Sequence, residues 1–265
     1  MSVVLHISDT HFGTEVPAVV EALVKLAEQQ RPDLVVLSGD ITQRARPAQF
    51  SAARAFVERL GAPVLAIPGN HDIPLFDLWA RLSAPYARYA AAFGAELEPV
   101  HRSAGLLVVG VNTTRAWRHK HGEVSSPQIQ RVARELAGAS AAQLRVVVVH
   151  QPVAVVRAED AVHRLRGHTE ALQCWASAGA DLVLGGHIHL PYVTPLQGLA
   201  RPLWAVQAGT AVSSRVRPAV PQSVNLLRWD AGTRPGCCLI ERWDHSAPAG
   251  RFVRSTVTEV RPARA

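Results

Sequence analysis

The chain has 265 residues, 48% of them hydrophobic and 18% charged, with a formal net charge of +7. That length can bury a sizeable core, the balance excludes a disordered or fibrous chain, and no apolar run is long enough to cross a membrane. Arginine carries almost all the positive charge, since Lys25 and Lys120 are the only lysines; apart from "RAWRHK" (115–120) and "SRVRP" (214–218) the arginines are scattered, as on a solvated surface, although the total also suits a small anionic substrate.

The opening stretch, "MSVVLHISDTHFG", has no basic n-region, no long apolar h-region and no small-residue cleavage site. It reads as a first strand, Val3 to Ser8, and a cytoplasmic protein is expected. Ala18 to Gln30 reads as a helix with Val19, Leu23, Leu26 and Ala27 on one face. Leu34 to Ser38 is the next strand. Pro47 opens a second helix and Gly61 closes it, and Val64 to Ile67 is a third strand. An aromatic-bearing helical insert follows at residues 75–93. Its Phe76, Trp79, Tyr86, Tyr89 and Phe93 suit a core or dimer contact at that spacing, or a surface that stacks on a base. Then come "LLVVGVN", a helix from Ser126, "RVVVVH", a helix from Thr169 and "DLVLGG". Such alternation implies βαβ units and a mainly parallel sheet covered on both faces. From Leu203 onward, "LWAVQAG", "SVNLLRWD", "CCLIERWD" and "RFVRSTVTEV" are strand-like runs joined by turns, read as antiparallel hairpins. One α/β domain over residues 1–265 is expected, its antiparallel end forming a second sheet packed on the first. Cys174, Cys237 and Cys238 make neither a C-x-x-C pair nor a disulfide framework.

Ligands of parallel α/β sheets bind beyond the carboxyl ends of the strands. Here the first strand ends in Asp9-Thr10-His11, the second in Gly39-Asp40 and the third in Gly69-Asn70-His71-Asp72. "RVVVV" ends in His150, and "DLVLGG" in His187-Ile188-His189. Asp9 and His11, two apart on an extended segment, point the same way and form a pair. His187 and His189 do likewise, or a turn aims one at each of two ions. Imidazole mixed with carboxylate suits zinc, manganese or iron. Seven such groups exceed what one transition-metal ion needs and suit two ions that share a carboxylate, for which Asp40 is the natural bridge. His6 lies mid-strand and is read as structural. His101, His119, His121, His163, His168 and His245 lack the strand-end placement and are read the same way.

Asp9-x-His11, Gly39-Asp40, Gly69-Asn70-His71-Asp72, His150 and Gly186-His187-x-His189 together resemble the five-block signature of the calcineurin-like metallophosphoesterases. "GDITQRAR", "PGNHDIPL" and "VNTTR" are most similar to the bacterial branch that contains the class III cyclic-nucleotide phosphodiesterases. The resemblance implies a four-layer αββα sandwich of two mixed sheets flanked by helices, with the C-terminal strands antiparallel. It implies one ion held by Asp9, His11, Asp40 and His189, and a second held by Asp40, Asn70, His150 and His187. The chain departs from its relatives at three places. Gln43 stands where purple acid phosphatases carry a tyrosine, His71 where the lipid-A-pathway hydrolases carry arginine, and Gln151 where close cyclic-nucleotide relatives often have a second histidine.

Two neighbouring cations, divalent or mixed-valence manganese, iron or zinc, activate a shared water and hold the phosphate oxygens. His71, beside ligand Asn70 but outside the ligand set, is the candidate general acid, with Asp72 placed to orient it. Asn70 and His71 are also the expected substrate contacts. The function expected is hydrolysis of small phosphodiesters, such as cyclic nucleotides or glycerophosphodiesters. A phosphomonoesterase, a nuclease and a non-catalytic protein-binding scaffold of the same fold are the alternatives. No membrane partner is expected, nucleic acid is not favoured, and a homo-oligomer stays open. Arg215 and Arg217 suit either phosphate binding or surface charge.

Overall fold

In the computed structural model, which describes residues 1–232 and 236–263, strand β1 (Ser2–Ile7) pairs in parallel with β2 (Leu34–Ser38), and β2 with β3 (Val64–Ile67). Helices α1 (Pro17–Gln30) and α2 (Pro47–Glu58) make the two crossovers. Each begins with proline, whose missing N–H costs nothing in a first turn. The insert forms two short helices, α3 (Leu78–Ser83) and α4 (Ala87–Phe93). Tyr89 and Phe93 of α4 stack at 5.5 Å against the core, and Tyr86 bonds to Thr114. Phe76 and Trp79 instead stand 79% and 81% exposed, so the aromatic set divides between core and surface.

A second sheet takes β4 (Val100–Arg102), β5 (Leu106–Gly110), β6 (Leu144–Val148), β7 (Leu182–Gly185), β8 (Tyr192–Pro195) and β9 (Trp204–Gln207), in the order β4-β5-β6-β7-β9-β8. Helices α5 (Ser126–Ala137) and α6 (His168–Ser177) cover its outer face. The last strands, β10 (Ser223–Trp229), β11 (Cys238–Ser246) and β12 (Arg251–Val260), run antiparallel as expected. They do not build the second sheet. They extend the first, because β10 pairs antiparallel with β1, giving the order β12-β11-β10-β1-β2-β3. "LWAVQ", grouped with that antiparallel run in the sequence, is a parallel neighbour of β7.

Strand residues alternate between two apolar layers. Leu5, Ile7, Val35 and Leu37 pack under α1 and α2, while Val4, Leu34 and Val36 meet Val108, Val146 and Leu184 between the sheets. Both faces of the parallel strands are therefore buried, which explains their unbroken apolar runs. The result is four layers: helices, sheet, sheet, helices. No helix among the described residues is long and apolar enough to cross a membrane.

Candidate metal centre

The loops that leave β1, β2, β3, β6 and β7 meet at one edge of the sandwich. Pairing continues past the strand ends: the Asp9 N–H donates to the Gly39 carbonyl (3.1 Å), His11 N–H to Asp40 O (3.0 Å) and Gly186 N–H to His150 O (2.9 Å). These long-range bonds hold an unusual backbone. Asp9, His11, Asp40, His187 and His189 all adopt positive φ, between 42° and 73°. For a residue with a side chain this costs on the order of 1–2 kcal/mol, the kind of local strain that clusters at functional sites. Asp9 and His11 therefore converge through left-handed turns, not through the extended geometry expected from their spacing. Gly39 and Gly69 make the approach possible: a Cβ on Gly39 would lie 2.6 Å from His150 Nδ1, and one on Gly69 would collide with Asp40.

The ligand atoms of Asp9, His11 and His189 lie within 4.8 Å of one another, as do those of Asp40, His150 and His187, and those of His11, Asp40 and His71. Asp40 faces both sides. Its Oδ1 is 3.2 Å from His150 Nε2 and its Oδ2 is 3.8 Å from His11 Nε2. Asp9 Oδ1 is 3.2 Å from His189 Nε2, the Nε2 atoms of His11 and His189 are 3.1 Å apart, and Asn70 Oδ1 is 3.3 Å from His150 Nε2. His187 and His189 thus separate, one to each side. Backbone carbonyls orient two of the imidazoles: His150 Nδ1 donates to Ser38 O (2.8 Å) and His189 Nδ1 to Arg215 O (2.6 Å), which aims both Nε2 atoms inward. His187 Nδ1 is buried and has no hydrogen-bond partner among the described residues.

Burial is the largest influence on every charge here. It raises Asp9 and Asp40, yet His189 brings Asp9 below its ordinary value, and His150, His71 and His11 hold Asp40 well below its own. Burial pushes His11 down to about 3, and burial with the charge of His150 pushes His187 well below the usual range. His150 rises to about 9 because Asp40 outweighs burial, and Asp9 raises His189 in the same way. The shifts favour ionised carboxylates and neutral His11 and His187, the forms that coordinate a cation, while the protons held on His150 and His189 by the carboxylates are ones a bound cation would displace. Mixed N and O donors, one carboxylate turned to both sides and an unpartnered buried imidazole nitrogen fit a pair of transition-metal ions.

His71 stands at the rim. Its N–H donates to Asp40 Oδ1 (2.8 Å), and its Nδ1 donates to Gln43 O (3.0 Å). Asp72 does not orient it, contrary to expectation. Asp72 instead accepts the N–H groups of Gly69 (2.8 Å), Ile41 (3.0 Å) and Thr42 (2.8 Å), fastening the β2 and β3 loops together. Gln151 is fully buried and accepts from Thr113 (2.6 Å), a scaffold contact. His6 is likewise a core residue, bonded to Ser38 and Asn225. Two further residues stand at the site, one left open by the sequence reading and one missed by it. Arg215 places Nη1 at 3.3 Å from His71 Nε2, and "SRVRP" was its only signal. His163, read as structural with the other histidines that lack strand-end placement, has Nδ1 3.1 Å from His187 Nε2, and nothing in its sequence context marks it. Arg217 is paired with buried Asp160.

Comparison with known proteins agrees with this geometry. The calcineurin-like phosphoesterase family profile matches residues 2–191. A probable cyclic nucleotide phosphodiesterase of Synechococcus sp. is 31% identical over 170 residues, 63% of this chain and 61% of that protein. A cAMP/cGMP dual specificity phosphodiesterase of Mycobacterium tuberculosis is 27% identical over 205 residues, 71% of this chain and 61% of its own length. The chain thus spans about 61% of each of these two relatives. Among solved structures, a dimetal phosphatase from Danio rerio superposes with a TM-score of 0.71 at 14% identity, covering 99% of both chains, which shows the shared fold. The chain belongs to the calcineurin-like phosphoesterase family.

Proposed function

We propose that this calcineurin-like phosphoesterase is a phosphodiesterase of small substrates, cyclic nucleotides or glycerophosphodiesters, that works with two manganese, iron or zinc ions. The observation that carries the reading is Asp40, whose two oxygens face two separate groups of donors. One ion would be held by Asp9, His11, Asp40 and His189, the other by Asp40, Asn70, His150 and His187. When bound, such a pair supplies Lewis acidity and an activated water at neutral pH.

The chain's own residues do the rest. Asn70 and His71 contact the ester at the open side of the site. Gln43 O keeps the Nδ1 proton of His71 in place, so proton transfer to the leaving oxygen runs through Nε2. The bond from His71 N–H to Asp40 Oδ1 ties the acid's position to the shared carboxylate. Diester preference is supported by the two relatives above, both named as cyclic nucleotide phosphodiesterases. The test is a metal-reconstituted screen over cyclic nucleotides, glycerophosphodiesters, aryl mono- and diesters and single-stranded DNA. Hydrolysis of diesters with a higher kcat/KM than the matching monoesters is expected. A strong monoester preference moves the protein among the phosphatases, and no hydrolysis with both ions bound makes it a non-catalytic member of the fold.

A further inference from the structure

We infer that Arg215 is a substrate-binding residue whose guanidinium holds a non-bridging phosphoryl oxygen of the ester; this rests on the phosphodiesterase reading above. Its backbone is pinned to the metal centre. The carbonyl accepts from His189 Nδ1 (2.6 Å) and Thr210 Oγ1 (2.8 Å), and its N–H donates to Ser213 Oγ (3.1 Å). The side chain then reaches across the site mouth. Nη1 lies 3.3 Å from His71 Nε2, 3.3 Å from His11 Nδ1 and 3.0 Å from Gln43 Oε1.

None of these three neighbours is a carboxylate. Arg217, two residues on, is neutralised by Asp160. Among the described residues Arg215 forms no ion pair, and its recorded side-chain hydrogen bonds all run through Nη1. The nearest carboxylates of the site, Asp9 and Asp40, are turned to His189 and His150 and leave the guanidinium free to take an anion. The free edge of the fork matches two oxygens of a phosphoryl group in geometry and charge. It stands next to His71, where the leaving oxygen must lie if His71 protonates it.

The experiment uses the metal-loaded full chain, with inorganic phosphate as the probe. Competitive inhibition by phosphate, kcat and KM on bis(p-nitrophenyl) phosphate, and metal content are measured for wild type, Arg215→Ala and the longer neutral Arg215→Gln. Loss of a charge-assisted contact predicts a phosphate inhibition constant raised on the order of 10- to 100-fold, with a raised KM and both ions retained. Added ethylguanidinium restores part of the loss in Arg215→Ala. Phosphate inhibition unchanged in both variants overturns the inference, and so does loss of an ion in both. A wild-type chain that binds two ions yet hydrolyses no ester overturns the functional reading instead, and the two failures are told apart by the wild type alone.

Discussion

His163 Nδ1 lies 3.1 Å from Nε2 of His187, with the two rings at 65°. The other ring nitrogen of His187 is buried and has no hydrogen-bond partner among the described residues, so a cation held by His187 would bind at Nδ1 while Nε2–H is donated outward. His163 ends the short 3-10 helix Ala158–His163, and that helix is anchored by the Asp160–Arg217 pair.

Removing this outer partner frees the ring of one ligand. His163→Ala is expected to weaken one of the two ions by about 10- to 100-fold and to leave the other unchanged, with His163→Gln recovering part of the loss. Titration calorimetry with manganese, read site by site, decides it. Two affinities identical to wild type would show that the contact orients nothing.

Asp40 is the only carboxylate that joins two of the donor groups found among the described residues. Two ions per chain are expected at saturating manganese or zinc, and Asp40→Asn should drop the content below two with a large loss of activity. Elemental analysis of both proteins tests this. Full stoichiometry and full activity in the variant would falsify the bridge.

His71→Ala should keep both ions, because the ring lies at the rim with Nδ1 committed to Gln43 O. Loss of a general acid costs on the order of 10²–10⁴-fold on alkyl diesters. It costs less on nitrophenyl esters, whose leaving groups need little protonation. Rates on both substrate types, with metal content checked in parallel, separate the cases. Equal losses point to phosphate positioning, and a lost ion makes His71 a ligand.

His6 is fully buried in β1, and burial pushes its imidazole down to about 3. The unfolded chain binds the proton near 6.5 and the folded chain only near 3, so stability rises with pH across that window. It is full above 6.5 and is lost as pH falls toward 3. Between pH 7 and 4.5, wild type should lose about 2–3 kcal/mol more than His6→Gln. Urea unfolding of both proteins across that range measures the difference. Superimposed acid limbs would place the sensitivity elsewhere.

The candidate donor set was legible in the sequence because metal chemistry admits few residue types and α/β sheets offer ligands one edge. Asp9, His11, Asp40, Asn70, His150, His187 and His189 could be named from strand ends alone. Buried parallel strands were legible for a related reason: both faces must be apolar, and "LVVLS" and "RVVVV" say so locally. Pairing partners were not. "LWAVQ" and "SVNLLRW" look alike as apolar runs, yet β9 lies parallel to β7 and β10 antiparallel to β1, since a ladder is chosen by which neighbour is free, not by the strand's own pattern. The positive φ of Asp9 and His11 was equally hidden, because bonds from Gly39 and Asp40, some thirty residues away, hold it. Arg215 lies on a loop and His163 at the end of a short 3-10 helix, neither within a metal-ligand motif. Their contacts with His71 and His187 cross 144 and 24 residues, and only the folded chain brings those distances to 3.3 and 3.1 Å.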